Sequence, residues 1–302
     1  MTTSATQQLK TAFNTVNPAL QPLRDGTVKI RGVEMEQVPS QNIIAVFRHM
    51  CRTLEYDISE MAVVTYFTMR HYGMPVTAIP VFPSSRVDYG AGIFVNQNSG
   101  IKTAKDFEGK RVGMRSYAVT PCTWQKGYLR DQGVDLSKVR WFCADDEHVD
   151  ALNADMPKTI EYQKGADVTA MLKSGEIDAA LGVPVNDDPN VVQLVPDARE
   201  QGIERFKTEG VYRLIHLMLV KNSALEADPG VLRATFDAFK ESKEKYLASL
   251  GANAPTEKWD DPLPLGLDEV RPSLEALMRH SVDQGILPKA MDIDELFPGN
   301  FN

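Results

Sequence analysis

The chain is expected to be an α/β protein of two lobes, each a mixed sheet flanked by helices, with a ligand cleft between the lobes. Three observations carry this expectation. Short apolar strands alternate with amphipathic helices along most of the chain, an order that builds a parallel or mixed sheet covered by helices. The length of 302 residues exceeds what one core usually fills, because single cores stop growing at roughly 250–300 residues. The chain leaves its first run of strands at Gly92 and returns through another apolar strand at Tyr212. Two crossings then divide it into lobe 1, residues 1–91 plus 212–302, and lobe 2, residues 92–211.

Taken in order, Leu9 to Phe13 reads as the first strand, and a short helical segment with Pro22 in its first half follows Asn14 and Thr15. Val33 to Val38 alternates as VEMEQV, a strand with one polar face. Ser40 is the expected cap of a helix in which Ile43, Ile44, Phe47, Met50, Cys51 and Leu54 recur at helical spacing. Asp57 to Val64 reads as a strand with a buried-looking Glu60, leading into a helix that stops at Gly73. Thr77 to Phe82 is a strand closed by Pro83, and Ser84 to Gly90 is a polar loop.

Beyond Gly92 the alternation continues through GIFVN, KRVGM, a helix from Pro121, KVRWFCA, TIEYQ, a helix over Val168 to Leu172 closed by Gly175, and the strand DAALGV. Tyr212 to Val220 is the returning strand. Helices are expected from Pro229 to about Leu250 and from Leu267 to Gly285, joined by an exposed Pro- and Gly-rich loop and followed by a short acidic tail.

Composition narrows the function. The net charge of −8 argues against nucleic acid as a partner, since its binders carry a basic footprint. Cys51, Cys122 and Cys143 are odd in number and lack ligand spacing, so reduced thiols are expected, with no disulfide framework, no zinc site and no metal. No GxGxxG, P-loop or HExxH motif occurs, and no cofactor is expected. No apolar run approaches the ~20 residues of a membrane span, and the opening MTTSATQQLK lacks the pattern of a secretory signal. A cytoplasmic location is therefore expected, without a membrane partner. The oligomeric state is open and includes a homo-oligomer.

Phe107 to Gly127, FEGKRVGMRSYAVTPCTWQKG, carries a strand, a polar loop and a helix start. In open α/β sheets such a junction binds anions, because unpaired N–H groups and the positive end of the helix dipole meet there. Tyr117 and Thr120 are the candidate contacts on this wall, and Trp124 is expected in the core. Asp145, Asp146, Glu147 and His148 read as a solvated turn. His49, His71 and His280, each on a helix among polar neighbours, read as structural or exposed.

FEGKRVGM at Phe107 to Met114 and MLKSGEIDAAL at Met171 to Leu181 resemble segments of type 2 periplasmic-binding-protein-like folds. Together with EYDISEMAVVTYF at Glu55 to Phe67, AIPVFPSSR at Ala78 to Arg86 and YRLIHLMLV at Tyr212 to Val220, the chain resembles the 4,5-dihydroxyphthalate decarboxylases, from Leu9 to about Leu250. The resemblance implies a carboxy-lyase acting on a small anionic hydroxylated aromatic acid, as in phthalate degradation. Two stretches depart from the family pattern. SSRVDYGAG keeps Arg86 but has Tyr89 and Gly90 where a second arginine and a histidine stand, and SYAVTPCTW replaces a helix start like EYQMTAAVW, retaining Tyr117, Thr120 and Trp124.

Decarboxylation of such an acid needs a group that fixes the carboxylate, a site that tolerates charge entering the ring, and an acid that protonates the ring carbon. Arg86 is the first choice for the carboxylate, since its planar fork pairs bidentately with one; Arg115 is the second. His216, in the middle of an apolar strand, is the candidate general acid, a role that the resemblance supports and that imidazole chemistry suits. Its alternative is a satisfied core histidine. Glu60 either donates a proton, accepts from the phenols or ties a structural network. Tyr66, Tyr89, Asn14 and Asn186 stand at matching strand ends as further substrate contacts, and Ser59, which precedes Glu60, is another. The competing expectation is a solute-binding or sensor protein of the same fold, without turnover.

Overall fold

The computed structural model describes residues 6–13, 16–38, 42–185, 188–299 and 301. Asn14, Ser40 and Asn186, singled out above, lie outside the described residues. In chain order the elements are β1 Gln7–Ala12, α1 Gln21–Arg24, β2 Val33–Gln37, α2 Ile43–Thr53, β3 Ile58–Ala62, α3 Val63–His71, β4 Val76–Arg86, β5 Ile93–Asn96 and β6 Arg111–Met114. Then follow α4 Thr120–Asp131, β7 Arg140–Cys143, α5 Leu152–Asp155, β8 Glu161–Tyr162, α6 Val168–Ser174, β9 Ala179–Leu181, β10 Val191–Gln193 and α7 Ala198–Glu209. The chain closes with β11 Arg213–Lys221, α8 Asn222–Ala227, α9 Gly230–Leu250, α10 Leu267–Asp283 and α11 Ile293–Leu296.

Two compact units result: Met1–Arg86 with Leu214–Glu275 and Met291–Asn302, and Val87–Arg213 with Ala276–Ala290. The second unit thus takes Ala276–Ala290, a segment that the sequence reading placed with the first lobe.

The sheet of the first unit has the order β2-β1-β3-β11-β4. β1 pairs in parallel with β2 and β3, and β11 runs antiparallel to β3, so the sheet is mixed. Asn42 supplies the cap of α2, its side chain accepting from the Ile44 N–H at 3.0 Å, and Val46, Phe47, Met50 and Cys51 form the buried stripe. β3 is shorter than expected: Val63 and Val64 already belong to α3. All five residues of β3 are buried, as in a strand covered on both faces. β4 runs past Pro83 to Arg86, where a loop was expected; proline is tolerated because β4 is an outer strand. Leu20, Ile58, Val81, Met218, Phe239 and Phe301 are among the residues of the core between sheet and helices.

The second sheet has the order β10-β5-β9-β6-β7-β8. β6 pairs in parallel with β7 and β9, while β5 is antiparallel to β9 and β10. Gly113 in β6 has a packing reason, since a Cβ there would stand 2.6 Å from Ile177 Cδ1 and 2.9 Å from Val168 Cγ1. The FEGKRVGM segment is therefore a mark of the α6 face. α7 and β10 were not anticipated from the sequence. Gly210 closes α7 in the left-handed region (φ 70°), a stop signal that was there to be read.

His280 lies in the core of the second unit, 1% exposed. Its ring packs edge-on against Trp124 with centroids 5.6 Å apart, and neither ring nitrogen has a hydrogen-bond partner among the described residues. The close approach needs Gly127, where a Cβ would stand 2.7 Å from Nε2. Burial is the largest influence on the imidazole and pulls its pKa from 6.5 to about 4, so it stays neutral in the fold and gains a proton on unfolding. That stability is complete above about pH 6.5 and is lost as pH falls toward 4, a loss on the order of 3 kcal/mol. Urea midpoints measured from pH 7 to 4 should fall accordingly, and His280→Leu should flatten the profile. Gly127→Ala should cost about 1–3 kcal/mol by the same assay at pH 7.

Candidate functional site

The charged residue in β3 is Glu60, fully buried next to Ser59 in a strand whose other residues are apolar. β11 pairs His216 with Ala62 and Met218 with Glu60. Side chains two apart share a face of a strand, so Glu60 and His216 are diagonal neighbours on one face. The register brings them together: His216 Nδ1 lies 2.6 Å from Glu60 Oε1. A carboxylate in contact with Nδ1 is satisfied by an Nδ1–H donor, which assigns the tautomer and directs Nε2 to the opposite side of the ring.

The surroundings keep the pair in place. The edge of the imidazole meets Phe47 of α2, centroids 5.0 Å apart at 81°, and the Ser59 hydroxyl donates to the Glu60 carbonyl at 2.8 Å. The His216 side chain retains 17% exposure while Glu60 has none, so one end of the pair is wet and the other dry. Ala62, opposite His216, is also the N-cap of α3 and provides no side-chain cap. The imidazole thus stands beside a helix start, where amide N–H groups and the helix dipole favour negative charge.

The other sequence candidates divide sharply. Arg86 ends β4 and is exposed, free of the burial that would tie up its guanidinium. Tyr66 is buried: its hydroxyl donates to the Leu296 carbonyl and accepts from the Ala78 N–H. Both capacities of that oxygen are spent inside the first unit, and burial pushes the phenol up to about 12. Tyr89 belongs to the second unit, buried with its hydroxyl on the Asp131 carboxylate and the Arg205 guanidinium 3.9 Å above its ring.

Tyr117 and Thr120 are buried as well. The junction they occupy does collect an anion, but the anion is the chain's own. The Tyr117 N–H donates to Glu147 Oε1 at 2.7 Å and the Ala118 N–H to Oε2 at 3.1 Å. The expected solvated turn at Asp145 to His148 is corrected accordingly: Glu147 is 2% exposed and His148 is buried, because the carboxylate satisfies amides that the turn before α4 leaves open. The fully buried Lys126 faces the same turn, its Nζ 2.8 Å from the Tyr117 carbonyl and 3.0 Å from the centre of the Tyr117 ring. Burial brings this amine down to about 7 and raises the Glu147 carboxyl. Arg115 Nη2 contacts His148 Nε2 at 3.1 Å.

Glu147 and Lys126 were missed in the sequence. Lys126 was findable, since it follows Cys122 by four residues on the same buried face of α4 as Leu129. Among the described residues no group of three or more His, Cys, Asp or Glu is placed to hold a metal ion, and no helix is long and apolar enough to cross a membrane. All three cysteines are buried and none forms a disulfide.

The model of a family described as the phosphonate periplasmic substrate-binding proteins of ABC transporters matches residues 6–183. A 4,5-dihydroxyphthalate decarboxylase from Comamonas testosteroni is 28% identical over 253 residues, 78% of this chain and 75% of that protein. Its counterpart from Pseudomonas putida is 33% identical over 174 residues, 54% of this chain and 66% of that protein. Among solved structures, the periplasmic aliphatic sulphonate binding protein SsuA from Escherichia coli aligns over 96% of this chain and 97% of its own, with a TM-score of 0.58 and 14% identity. The desulfurization enzyme DSZB aligns over 98% and 97%, with a TM-score of 0.50 and 13% identity. The fold is therefore that of the periplasmic solute-binding proteins, each unit a mixed sheet flanked by helices. With more than half of its length matched, the chain belongs to the family described as the phosphonate periplasmic substrate-binding proteins of ABC transporters, and the curated relatives it matches are named 4,5-dihydroxyphthalate decarboxylase.

Proposed function

We propose that this protein is a carboxy-lyase that removes CO2 from a small hydroxylated aromatic acid, with His216 as general acid and Glu60 as its positioning partner. The observation that carries the reading is the 2.6 Å contact between His216 Nδ1 and the buried Glu60 carboxylate, found in a chain whose relatives are named 4,5-dihydroxyphthalate decarboxylase. With Nδ1–H committed to Glu60, the protonated ring offers its Nε2–H to the carbon that bears the carboxylate. Electrons from a ring hydroxyl meet that proton as the carbon becomes tetrahedral. The bond to the carboxylate then breaks, CO2 leaves, its electron pair restores the aromatic ring, and the hydroxyl proton is retained or regained from solvent.

Arg86 is the proposed carboxylate clamp, being exposed at the end of β4 with a geometry suited to bidentate pairing. Ser59 and Tyr66 are buried in the first unit and Tyr89, Tyr117 and Thr120 in the second, and none of the five is proposed as a direct contact of the substrate. The binding-protein description of the family favours a second reading, a solute-binding or sensor protein for an organic anion without turnover.

Purified protein incubated with hydroxylated phthalates and benzoates in D2O separates the two: release of CO2 with one deuterium at the vacated ring carbon supports the lyase, whereas tight binding without release supports the second reading. His216→Asn should lower kcat by about 10²–10⁴ with little change in KM. Arg86→Ala should instead raise KM by roughly 10- to 100-fold, the loss of a hydrogen bond to a charged group. For the pair itself, long-range 1H–15N spectra of the neutral histidine should show Nδ1 protonated in the native protein. In Glu60→Ala the Nε2-protonated tautomer should gain population, and an unchanged spectrum would break the link between the two residues.

A further inference from the structure

The turn before α4 is organised as an oxyanion site whose occupant is covalently part of the chain. Two backbone donors, the N–H groups of Tyr117 and Ala118, each meet a different oxygen of Glu147, the arrangement that a bound planar carboxylate would adopt. α4 spans 12 residues and has no side-chain cap at Val119, so its dipole adds to those donors. The side chains around the turn point independently to an anion. Lys126 is a fully buried amine whose Nζ donates to the Tyr117 carbonyl in the same turn; burial raises the Glu147 carboxyl, and Lys126 and Arg115 oppose that shift. Arg115 is shared with Asp145, 3.7 Å away, and with His148. The Glu147 backbone is fixed in turn by its N–H bond to Asn153 Oδ1 at 2.9 Å.

We propose that Glu147 is a specificity-determining residue: its carboxylate fills the oxyanion site at the head of α4 and so denies that site to a carboxylate, sulfonate or phosphonate group from solution. On this account the second unit has no free anion cradle at this turn. Removal of the side chain restores the cradle. The inference goes beyond the carboxy-lyase reading and holds whichever reaction the protein carries out.

The test uses the intact protein. Glu147→Ala removes the Cγ and the carboxylate, the atoms of one acetate ion. Acetate should therefore raise the melting midpoint of Glu147→Ala by several degrees over equal chloride, while leaving the native protein and Glu147→Gln, whose amide still fills the space, unchanged. Acetate should also shift the Tyr117 and Ala118 amide signals in Glu147→Ala alone. Equal stabilisation of all three proteins, or no amide shift in the alanine variant, would overturn the proposal. If Glu147→Ala does not fold in chloride, refolding is compared with and without acetate: recovery only with acetate supports the proposal, and failure in both refutes it.

Discussion

The antiparallel pairing of β11 with β3 is the contact on which the first unit depends. β1, β2 and β3 come from the first part of the chain, and β11 arrives from beyond residue 212 to lie between β3 and β4. Without it the sheet would break between β3 and β4, and Met218 and Val220 would leave the core they share with Ile58. The same register sets the chemistry. A slip of one residue would turn His216 to the opposite face of the sheet and leave Glu60 buried without it. A buried carboxylate is expensive unless bonded, so the pairing of the strands and the pairing of these two side chains reinforce each other.

Each unit contains a strand that runs with little delay into a helix lacking a side-chain cap: β3 into α3, and β6 through a short turn into α4. Both junctions therefore present amide donors and a helix dipole. They are resolved in opposite ways. In the first unit a partly exposed imidazole stands beside the junction. In the second the junction is sealed by Glu147, and the cost of burying that charge is offset by two N–H bonds and the nearby Lys126 and Arg115. A shared backbone motif thus serves two purposes, decided by one side chain in each case.

Much of this was legible in the sequence, for reasons that differ by residue. The alternation of short apolar strands with helices foretold two mixed sheets, because periodicity survives in the pattern of burial. Glu60 and His216 stood out as polar residues in apolar strands, but that they meet follows from the register of β3 and β11, which the sequence did not reveal. Tyr66 and Tyr89 were chosen for their places at strand ends and Tyr117 and Thr120 for theirs at a helix start, and sequence position does not reveal that a hydroxyl is already used inside the fold, as the Tyr66 oxygen is by Leu296 and Ala78. Glu147 was misread because it sits in an acidic run, and local composition says nothing of the amides some 30 residues earlier that it comes to satisfy.

The outer strands of the two sheets have a consequence for how copies of this protein meet. β8 and β10 are two and three residues long. β2 carries Glu34 and Glu36. β4 contains Pro80 and Pro83, and residues 264–266 bond along it, Phe82 N–H to the Pro264 carbonyl and Gly266 N–H to the Pro80 carbonyl. Short, acidic, proline-bearing or covered edges offer a poor template for adding another strand. Among the described residues, growth by edge extension is thereby disfavoured at the borders of both sheets.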